Sequence, residues 1–279
     1  MWSNFHTHTH YCDGKGTVAE YAEACRASGV STIGFSSHAP LPFSTRWSMK
    51  QEDFSRYREE ISTARATHPD LEIYIGLETD YIPGVVSPRT FAGQLDYTIG
   101  SIHFVSQFEN KHWEIDNTGE VFREGLARIF QNDIRAAVTA YFTLTREMIA
   151  QSAPDILGHM DKIKINCAGT LLSEDEAWYI EQVDQTLKTA AAHGTIIEVN
   201  TRGLYKKKSD TTYPSPWILE RILDLDIPVM VNSDAHHPGE LTKGFSGTLS
   251  MLADIGFKQV STLRNGTWTP VPLNDYEAS

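Results

Sequence analysis

Three histidines alternate near the start of the chain, at His6, His8 and His10, and Asp13 follows them closely. In an extended strand, side chains two residues apart point to the same face. His6 and His8 can therefore bind one metal ion from one face of a single strand. The chain then turns at Asp13-Gly14, which displaces Asp13 from the histidine pair and suits it to a second ion nearby.

Segments with the patterns of helices and strands alternate along the rest of the chain. Helices are predicted from the capping box at Thr17 to the C-cap at Gly29, around 54–64, within 123–152 as one or two helices, and around 173–193, 217–223 and 249–255. Strands are predicted at 30–36, 71–77, 95–102, 156–158, 195–199, 227–231 and 258–263. Residues 104–122 are polar and are predicted to form a loop, whereas the tail after Asn265 gives no pattern. The alternation favours a parallel sheet, and about seven such units are enough to close an α/β barrel.

Side chains able to bind metals stand at or just beyond the C-terminal ends of these predicted strands. They are His6, His8, His38, Glu78, His103, His159, Asp234 and His236. In α/β barrels the active site is built at that end of the strands. Core histidines or solvated acids would have no reason to fall there every time, so we expect these residues and Asp13 to form one metal centre.

This set of ligands also indicates a reaction. Imidazole and carboxylate ligands suit Zn, Mn or Fe, and nine candidate ligands are too many for one ion. Glu78 is the only glutamate among them, and its two carboxylate oxygens can bridge two ions. Bridged metal ions that polarise an oxyanion and share a hydroxide suit the hydrolysis of a phosphoester.

Composition limits the partners and the location. A net charge of −12 over 279 residues disfavours a broad nucleic-acid-binding surface, whose affinity depends on Lys and Arg contacts with phosphate. A small phosphorylated substrate needs only a few local cations. No apolar run approaches the ~20 residues of a membrane span, and no signal peptide is evident. Cys12, Cys25 and Cys167 are odd in number and far apart, which favours a reduced, cytoplasmic setting. The oligomeric state is left open.

Taken together, these motifs resemble the PHP family, the polymerase and histidinol phosphatase superfamily. Its marks are an opening His-x-His, then His, Glu, His and His, and a closing Asp-x-His. The resemblance implies a distorted seven-stranded (β/α) barrel, here one domain over residues 1–279, with three divalent metal ions. By motif, the first ion would bind His6, His8, Glu78 and Asp234, the second would share Glu78 and bind His103 and His159, and the third would bind Asp13, His38 and His236.

Four longer segments are similar to the histidinol-phosphatase branch of that family. They are residues 76–84, 100–104, 157–161 and 198–215. The branch implies hydrolysis of L-histidinol phosphate to L-histidinol and phosphate in histidine biosynthesis, with attack by a metal-bound hydroxide. Among the ligands, Glu78, Asp234 and His236 are expected to act in catalysis.

Cations near the metal ligands are candidates for binding the phosphate. Arg202 follows a strand and precedes Lys206, Lys207 and Lys208 in an otherwise acidic protein. Arginine can bind phosphate oxygens through two parallel hydrogen bonds. We therefore predict Arg202, Lys206 and Lys164 as substrate-binding residues, whereas Lys207 and Lys208 fit a solvated surface run equally well. For the amine of histidinol an acidic partner is expected, with Asp80 or Asp161 as candidates.

Three other functions compete with this interpretation. A PHP exonuclease would need the same metals together with a basic groove, which the net charge disfavours. A phosphatase acting on another small phosphate ester is opposed only by the 198–215 segment. A non-catalytic metal-binding protein would not need three open-faced ions. The metal itself stays open, because Zn, Mn and Fe share this ligand set.

Overall fold

A computed structural model describes residues 2–109 and 111–276. The strands in this part of the chain are β1 (Trp2–Asn4), β2 (Val30–Phe35), β3 (Glu72–Asp80), β4 (Tyr97–Ser101), β5 (Phe104–Phe108), β6 (Lys111–Glu114), β7 (Ile156–Leu157), β8 (Ile196–Asn200), β9 (Val229–Asn232), β10 (Gln259–Arg264) and β11 (Thr267–Pro272). The α-helices are α1 (Val18–Ser28), α2 (Phe54–Thr67), α3 (Gly119–Phe130), α4 (Ile134–Ser152), α5 (Ala177–His193), α6 (Arg202–Tyr205), α7 (Pro216–Asp224) and α8 (Phe245–Ile255).

Seven parallel strands form the central sheet in the order β1-β2-β3-β4-β7-β8-β9. Its two edges meet just beyond β1 and β9, where Thr7 and Ala235 form a parallel bridge. The amide of His8 donates to the carbonyl of Ala235 at 2.8 Å, and the amide of Ala235 donates to the carbonyl of His6 at 3.0 Å. The sheet is thereby a nearly closed, distorted (β/α)₇ barrel, which confirms the predicted fold class.

Local sequence signals set the limits of helix α1 as predicted. The Thr17 side chain accepts from the Glu20 amide while the Glu20 side chain accepts from the Thr17 amide, which completes the capping box. Gly29 ends the helix with φ 70°, a left-handed conformation that glycine adopts without steric cost. The apolar stripe of the helix faces the barrel, and Val18, Tyr21 and Cys25 are fully buried there.

Apolar side chains from the strands of the barrel, or just beyond them, form one buried cluster with Leu263 of β10. The barrel residues are Phe5, Tyr74, Tyr97, Ile99, Ile156, Ile196 and Met230. The β10–β11 hairpin packs against them, with the Trp268 ring 5.5 Å from Phe5 and 6.3 Å from Tyr97. The strand predicted at 258–263 therefore exists, but it pairs antiparallel with β11 outside the barrel sheet. The tail after Asn265, which had no readable pattern, supplies its partner.

Two further sequence predictions need correction. The loop predicted for 104–122 is wrong: it contains the β5–β6 hairpin and the start of α3. Its strands escaped notice because they are short and mostly polar, and beyond Phe104 and Val105 only Trp113 is buried among their described residues. The helix predicted from residue 173 begins at Ala177, because the amide of Ser173 binds the Glu176 side chain in a preceding turn.

Two other features bear on the predictions from composition. Among the described residues, no helix combines the length and apolar character needed to span a membrane. The one-domain prediction for 1–279 stays a prediction, and it includes Met1, Asn110 and residues 277–279, which lie outside the described residues.

Candidate metal centre

The structure brings all nine predicted ligands together at the C-terminal mouth of the barrel. His6 and His8 follow β1, His38 follows β2, His103 follows β4, His159 follows β7, and Asp234 and His236 follow β9. Glu78 differs slightly from expectation, because it lies inside β3, two residues before the end of the strand. Asp13 approaches from the turn after His8, with its Oδ1 3.3 Å from Nε2 of His236.

Glu78 occupies the middle of this group. Five histidine nitrogens surround its carboxylate: His6 Nε2 at 3.2 Å, His8 Nε2 at 3.5 Å and His38 Nδ1 at 3.0 Å from Oε2, and His159 Nε2 at 2.8 Å and His103 Nε2 at 3.7 Å from Oε1. The two oxygens thus face two different sets of histidines. This arrangement is the one that a carboxylate bridging two ions requires.

Ligand atoms within 4.8 Å of one another form four overlapping groups. They are His8, Asp13, His38 and His236; His6, His159 and Asp234; His6, His8 and Glu78; and His38, Glu78 and His103. The predicted third-ion set, Asp13 with His38 and His236, is one of these groups with His8 added. The four groups share residues such as His6, His8 and Glu78, as expected of a centre with more than one ion.

The chemistry of the donor atoms fits metal ions. His6 Nε2, His8 Nε2 and His38 Nδ1 are buried and have no hydrogen-bond partner, although each lies within 3.5 Å of the Glu78 carboxylate. Buried polar atoms in proteins are nearly always satisfied. Here the histidine nitrogens face carboxylate oxygens without hydrogen-bond geometry. A cation bound between them would satisfy both kinds of atom, so these residues fit a multi-metal site.

The ionisable side chains of the centre interact strongly with one another. Burial alone would raise the pKa of the Glu78 carboxyl, but His6, His38 and His103 hold that pKa well below its usual value. Burial, together with His236 and His38, lowers the pKa of His8 well below its usual value. Burial would lower the pKa of His6 as well, but Glu198, Asp234 and Glu78 raise it well above its usual value.

Two carboxylates lie behind the histidines. Glu198 was not predicted to be functional, and Asp80 was predicted only as a candidate partner for the substrate amine. Burial disfavours a charge on Glu198, yet its Oε1 accepts from Nδ1 of His6 at 2.6 Å, and the His6 imidazole keeps the pKa of Glu198 below its usual value. Asp80 Oδ1 lies 3.1 Å from Nδ1 of His103. Both interactions fix which ring nitrogen faces the centre. A glutamate inside the β-branched run of β8 was the signal that could have identified Glu198.

Two of the candidate ligands have left-handed backbone conformations. φ is 22° at His159 and 52° at Asp234. Such conformations cost on the order of 1–3 kcal/mol each and persist where surrounding contacts over-determine them. The amide of His159 donates to Glu198 Oε2 at 2.8 Å, which holds the first of these strained residues in place.

An open cavity of about 250 Å³ lies directly over the centre. Part of its wall is cationic, with Lys162, Arg202 and Lys208, and another part is acidic, with Glu114 and Asp116. The cavity is also lined by Trp47, Asn117, Ile165, Gly203 and Tyr213 together with several of the ligands. A charged substrate could therefore reach the metal-binding side chains from solvent.

Arg202, which was predicted to bind the substrate, lies in the cavity wall. It begins the short helix α6, and its Nη1 donates to the carbonyl of Asp234 at 2.7 Å and to the hydroxyl of Tyr205 at 3.3 Å. Burial opposes its charge, but Asp234, Tyr205 and Glu240 raise the pKa of its guanidinium. Among the described residues, none accepts a hydrogen bond from its Nε or Nη2. These donors are therefore free for a ligand.

The two lysines predicted to bind the substrate, Lys164 and Lys206, do not line this cavity. Lys164 is buried beside the cavity, where its Nζ pairs with Asp161 Oδ2 at 2.7 Å and donates to the Thr212 carbonyl at 3.1 Å. Lys206 pairs with Glu240 on the surface. In the part of the chain that the structure describes, Lys162 and Lys208 line the cavity in their place. The reason is local geometry, since the helical turns after β7 and β8 place neighbouring lysines on different sides.

The candidate acids for amine recognition are also occupied. Asp80 accepts from both the amide and the Nδ1 of His103, and Asp161 accepts from Lys164 and from the Ser215 amide. Both carboxylates are almost fully buried. Neither is available to a substrate in the cavity.

The chain is a parallel α/β barrel in which buried histidines and carboxylates lie beneath an open, charged cavity. These features define the class of metal-dependent enzymes built on such barrels. This chain belongs to the PHP domain family, whose model matches residues 4–202. The family assignment agrees with the order of the ligands along the chain.

Named relatives extend over almost the whole chain. It is 28% identical over 263 residues to a Deinococcus radiodurans protein named "Probable histidinol-phosphatase", covering 92% of this chain and 94% of that protein. It is 27% identical over 265 residues to the Bacillus subtilis protein named "Histidinol-phosphatase", covering 88% and 97%.

One solved structure confirms the fold. It is the histidinol phosphate phosphatase of Lactococcus lactis, complexed with zinc, L-histidinol and phosphate. Its TM-score to this chain is 0.73 at 17% sequence identity, and the match covers 96% of this chain and 98% of that one.

Proposed function

We propose that this protein is a metal-dependent phosphomonoesterase that hydrolyses L-histidinol phosphate to L-histidinol and phosphate in histidine biosynthesis. The observation that carries the proposal is the grouping of nine candidate metal ligands, five of them histidines around Glu78, beneath a cavity whose wall includes Arg202. The substrate is proposed because two relatives that match nearly end to end are named histidinol-phosphatase.

Three divalent ions are assigned to the centre, with zinc, manganese and iron all suited to its ligands. His6, His8, Glu78 and Asp234 would hold one ion, Glu78, His103 and His159 a second, and Asp13, His38 and His236 a third. When bound, such ions lower the pKa of coordinated water and neutralise the oxygens of a phosphoryl group. The oxygens of Glu78 face both histidine sets, which makes this residue the expected bridge.

The chain's own residues bind and orient the phosphate. Arg202 has free Nε and Nη2 donors in the cavity wall, and its Nη1 is anchored on the carbonyl of Asp234, itself a candidate ligand. This anchor fixes the guanidinium relative to the metal-binding residues. Charge-assisted hydrogen bonds from such a preorganised cation stabilise the charge that develops on the phosphoryl oxygens. Lys162 and Lys208 add positive charge to the same cavity.

The location and the partners follow from the same interpretation. The partner is a small phosphorylated molecule, and a nucleic-acid substrate is disfavoured by the net charge of −12. A cytoplasmic location is proposed from the three free cysteines. Burial raises the pKa of Cys25 and of Cys167 to about 12, so neither thiol is poised for disulfide chemistry.

The test compares kcat/KM for L-histidinol phosphate, p-nitrophenyl phosphate and a sugar phosphate on protein of known metal content. We expect a preference of several orders of magnitude for L-histidinol phosphate. Similar slow rates on all three substrates would retain the metal centre but refute the named substrate. No phosphate release from fully metallated protein would refute the enzyme itself.

A further inference from the structure

Glu240 lies just outside the cavity, at the end of the 3₁₀ turn Pro238–Glu240 that follows the last candidate ligand, His236. Its side chain is only 15% exposed. One carboxylate oxygen, Oε2, faces Arg202 in the cavity wall, and the other, Oε1, pairs with the more exposed Lys206. The two oxygens therefore have different partners.

Oε2 of Glu240 is close to the guanidinium that is expected to bind the phosphate. It lies 3.7 Å from Nη1 of Arg202 and 3.4 Å from the hydroxyl of Tyr205. That hydroxyl accepts from the same Nη1 at 3.3 Å and donates to the carbonyl of Ser233 at 2.9 Å. Nη1 is thus held by acceptors of the protein, which turns the other donors of the guanidinium, Nε and Nη2, towards a ligand.

The same oxygen of Glu240 holds the backbone of a candidate metal ligand. The amide of His236 donates to Oε2 at 3.0 Å. Nδ1 of His236 lies 3.1 Å from the carbonyl of Asp234, which also accepts from Arg202 at 2.7 Å. Glu240 therefore completes a short network that runs from the guanidinium to the ligands of the closing Asp-x-His motif.

Lys206 balances the charge of this network. A carboxylate close to a phosphate site would repel the phosphate if no cation offset its charge. Nζ of Lys206 pairs with Oε1 of Glu240, the oxygen that does not contact Arg202. The lysine can therefore offset the negative charge while Oε2 stays in contact with the guanidinium. This arrangement gives Lys206, which was predicted to bind the substrate itself, an indirect place beside the site.

We infer that Glu240 is a positioning residue, which orients Arg202 for the phosphate and holds the backbone of His236 for its metal ion. The inference rests on the proposed function, in which Arg202 binds the phosphate. Glu240 itself contacts neither the phosphate nor a metal ion in this assignment, so its effects pass through those two residues. A cation that is already oriented loses less freedom on binding, so the positioning raises the affinity for phosphate.

The test uses inorganic phosphate as the probe, on metal-loaded protein of equal metal content. The Kd of phosphate is measured by titration calorimetry for wild type, Glu240→Ala, Arg202→Ala and the double variant. Asp96→Ala is the matched control. Asp96 likewise joins an arginine, Arg65, to a backbone amide, that of Ile75, but it lies just before β4 at the opposite end of the barrel.

A residue that acts through Arg202 loses its effect on phosphate once Arg202 is removed. We therefore expect Glu240→Ala to raise the Kd of phosphate about 10-fold when Arg202 is present, and by less than about 2-fold in the Arg202→Ala background. Asp96→Ala should leave this Kd unchanged. Equal effects in both backgrounds, or tighter phosphate binding by Glu240→Ala, would refute the positioning of Arg202.

The contact with His236 is tested by metal content after equilibration with graded chelator. Glu240→Ala should lose one of the three assigned ions at chelator concentrations about 10-fold lower than wild type. Glu240→Gln should keep that ion, because its side-chain oxygen can still accept from the amide of His236. Retention of all the ions by Glu240→Ala, or equal loss from both variants, would refute the role in holding His236.

The proposed function can fail separately, because neither measurement requires catalysis. If wild type does not hydrolyse L-histidinol phosphate, the named substrate is wrong, while the Kd of phosphate and the metal content still decide the role of Glu240. Hydrolysis of L-histidinol phosphate together with an unchanged Kd in Glu240→Ala would keep the proposed function and refute the positioning of Arg202. An unchanged Kd in Arg202→Ala would remove Arg202 from phosphate binding and refute this part of the inference as well.

Discussion

Replacement of Glu198 by glutamine should weaken metal binding, although Glu198 is not one of the candidate metal ligands. The carboxylate is fully buried and accepts four hydrogen bonds. Oε1 accepts from His6 Nδ1 at 2.6 Å and Asn232 Nδ2 at 3.0 Å, and Oε2 accepts from the His159 amide at 2.8 Å and Asn200 Nδ2 at 3.0 Å. In glutamine one oxygen becomes an NH₂ group, so whichever way the amide turns, two donors lose their acceptor.

The size of the effect follows from which donors are lost. If the NH₂ group faces His6, the ring loses the bond that directs its Nε2 to the centre. If it faces His159, the strained backbone of that ligand loses its anchor. Loss of such outer contacts typically weakens metal affinity about 10- to 100-fold, or about 1.4–2.7 kcal/mol. The unpaired buried donors should further lower the free energy of unfolding by about 1–3 kcal/mol.

The assay measures metal content per chain after equilibration with graded chelator, and urea unfolding of the metal-free protein. Asp155→Asn is the matched control, because Asp155 accepts from the amide and hydroxyl of Thr98 just before β7, away from the ligands. It should lose stability but keep its metal affinity. If the Glu198→Gln variant unfolds more easily but binds metal as tightly as wild type, the role of Glu198 in positioning the metal ligands is refuted.

Three further outcomes follow from the same contacts. Glu78→Ala should lose the metal at two sites together, because its two oxygens face separate histidine sets, and full metal content would contradict the bridge. Arg202→Ala should keep its metals while the inhibition constant of inorganic phosphate rises about 10- to 100-fold, and unchanged inhibition would remove Arg202 from phosphate binding. Lys164→Ala should lower the free energy of unfolding by about 3–5 kcal/mol in urea, because it leaves the buried Asp161 without its partner. If the unfolding midpoint stays unchanged, that ion pair is not structural.

The grouping of the candidate metal ligands could be predicted before the fold was known. Glu78 lies in, and His103 just beyond, a strand recognisable from its apolar pattern, and parallel strands bring their C-terminal ends to one edge of the sheet. Position along a strand is a local property, so residues far apart in the chain could be assigned to one centre. The ends of α1 were readable for the same reason, since caps depend on residues a few positions apart.

The residues around the centre depended on contacts that no local pattern encodes. Lys164 and Lys162 are equally plausible in sequence, but the helical turn after β7 buries the first against Asp161 and directs the second into the cavity. Asp116 lies in the turn just after the β5–β6 hairpin, in a segment too polar for its structure to be predicted. It faces the cavity because Ile115 is buried on the other side.

The sequence by itself determined the fold class and the metal chemistry, because strand periodicity and residue type depend only on residues that are close together in the chain. Tertiary structure decided which side chains complete the centre and form its cavity. Glu198 reaches His6 across the barrel, and Asp116 joins Trp47 from a different loop. Such contacts arise from the closure of the sheet, which joins residues that are distant in the chain, so only the folded protein could place them.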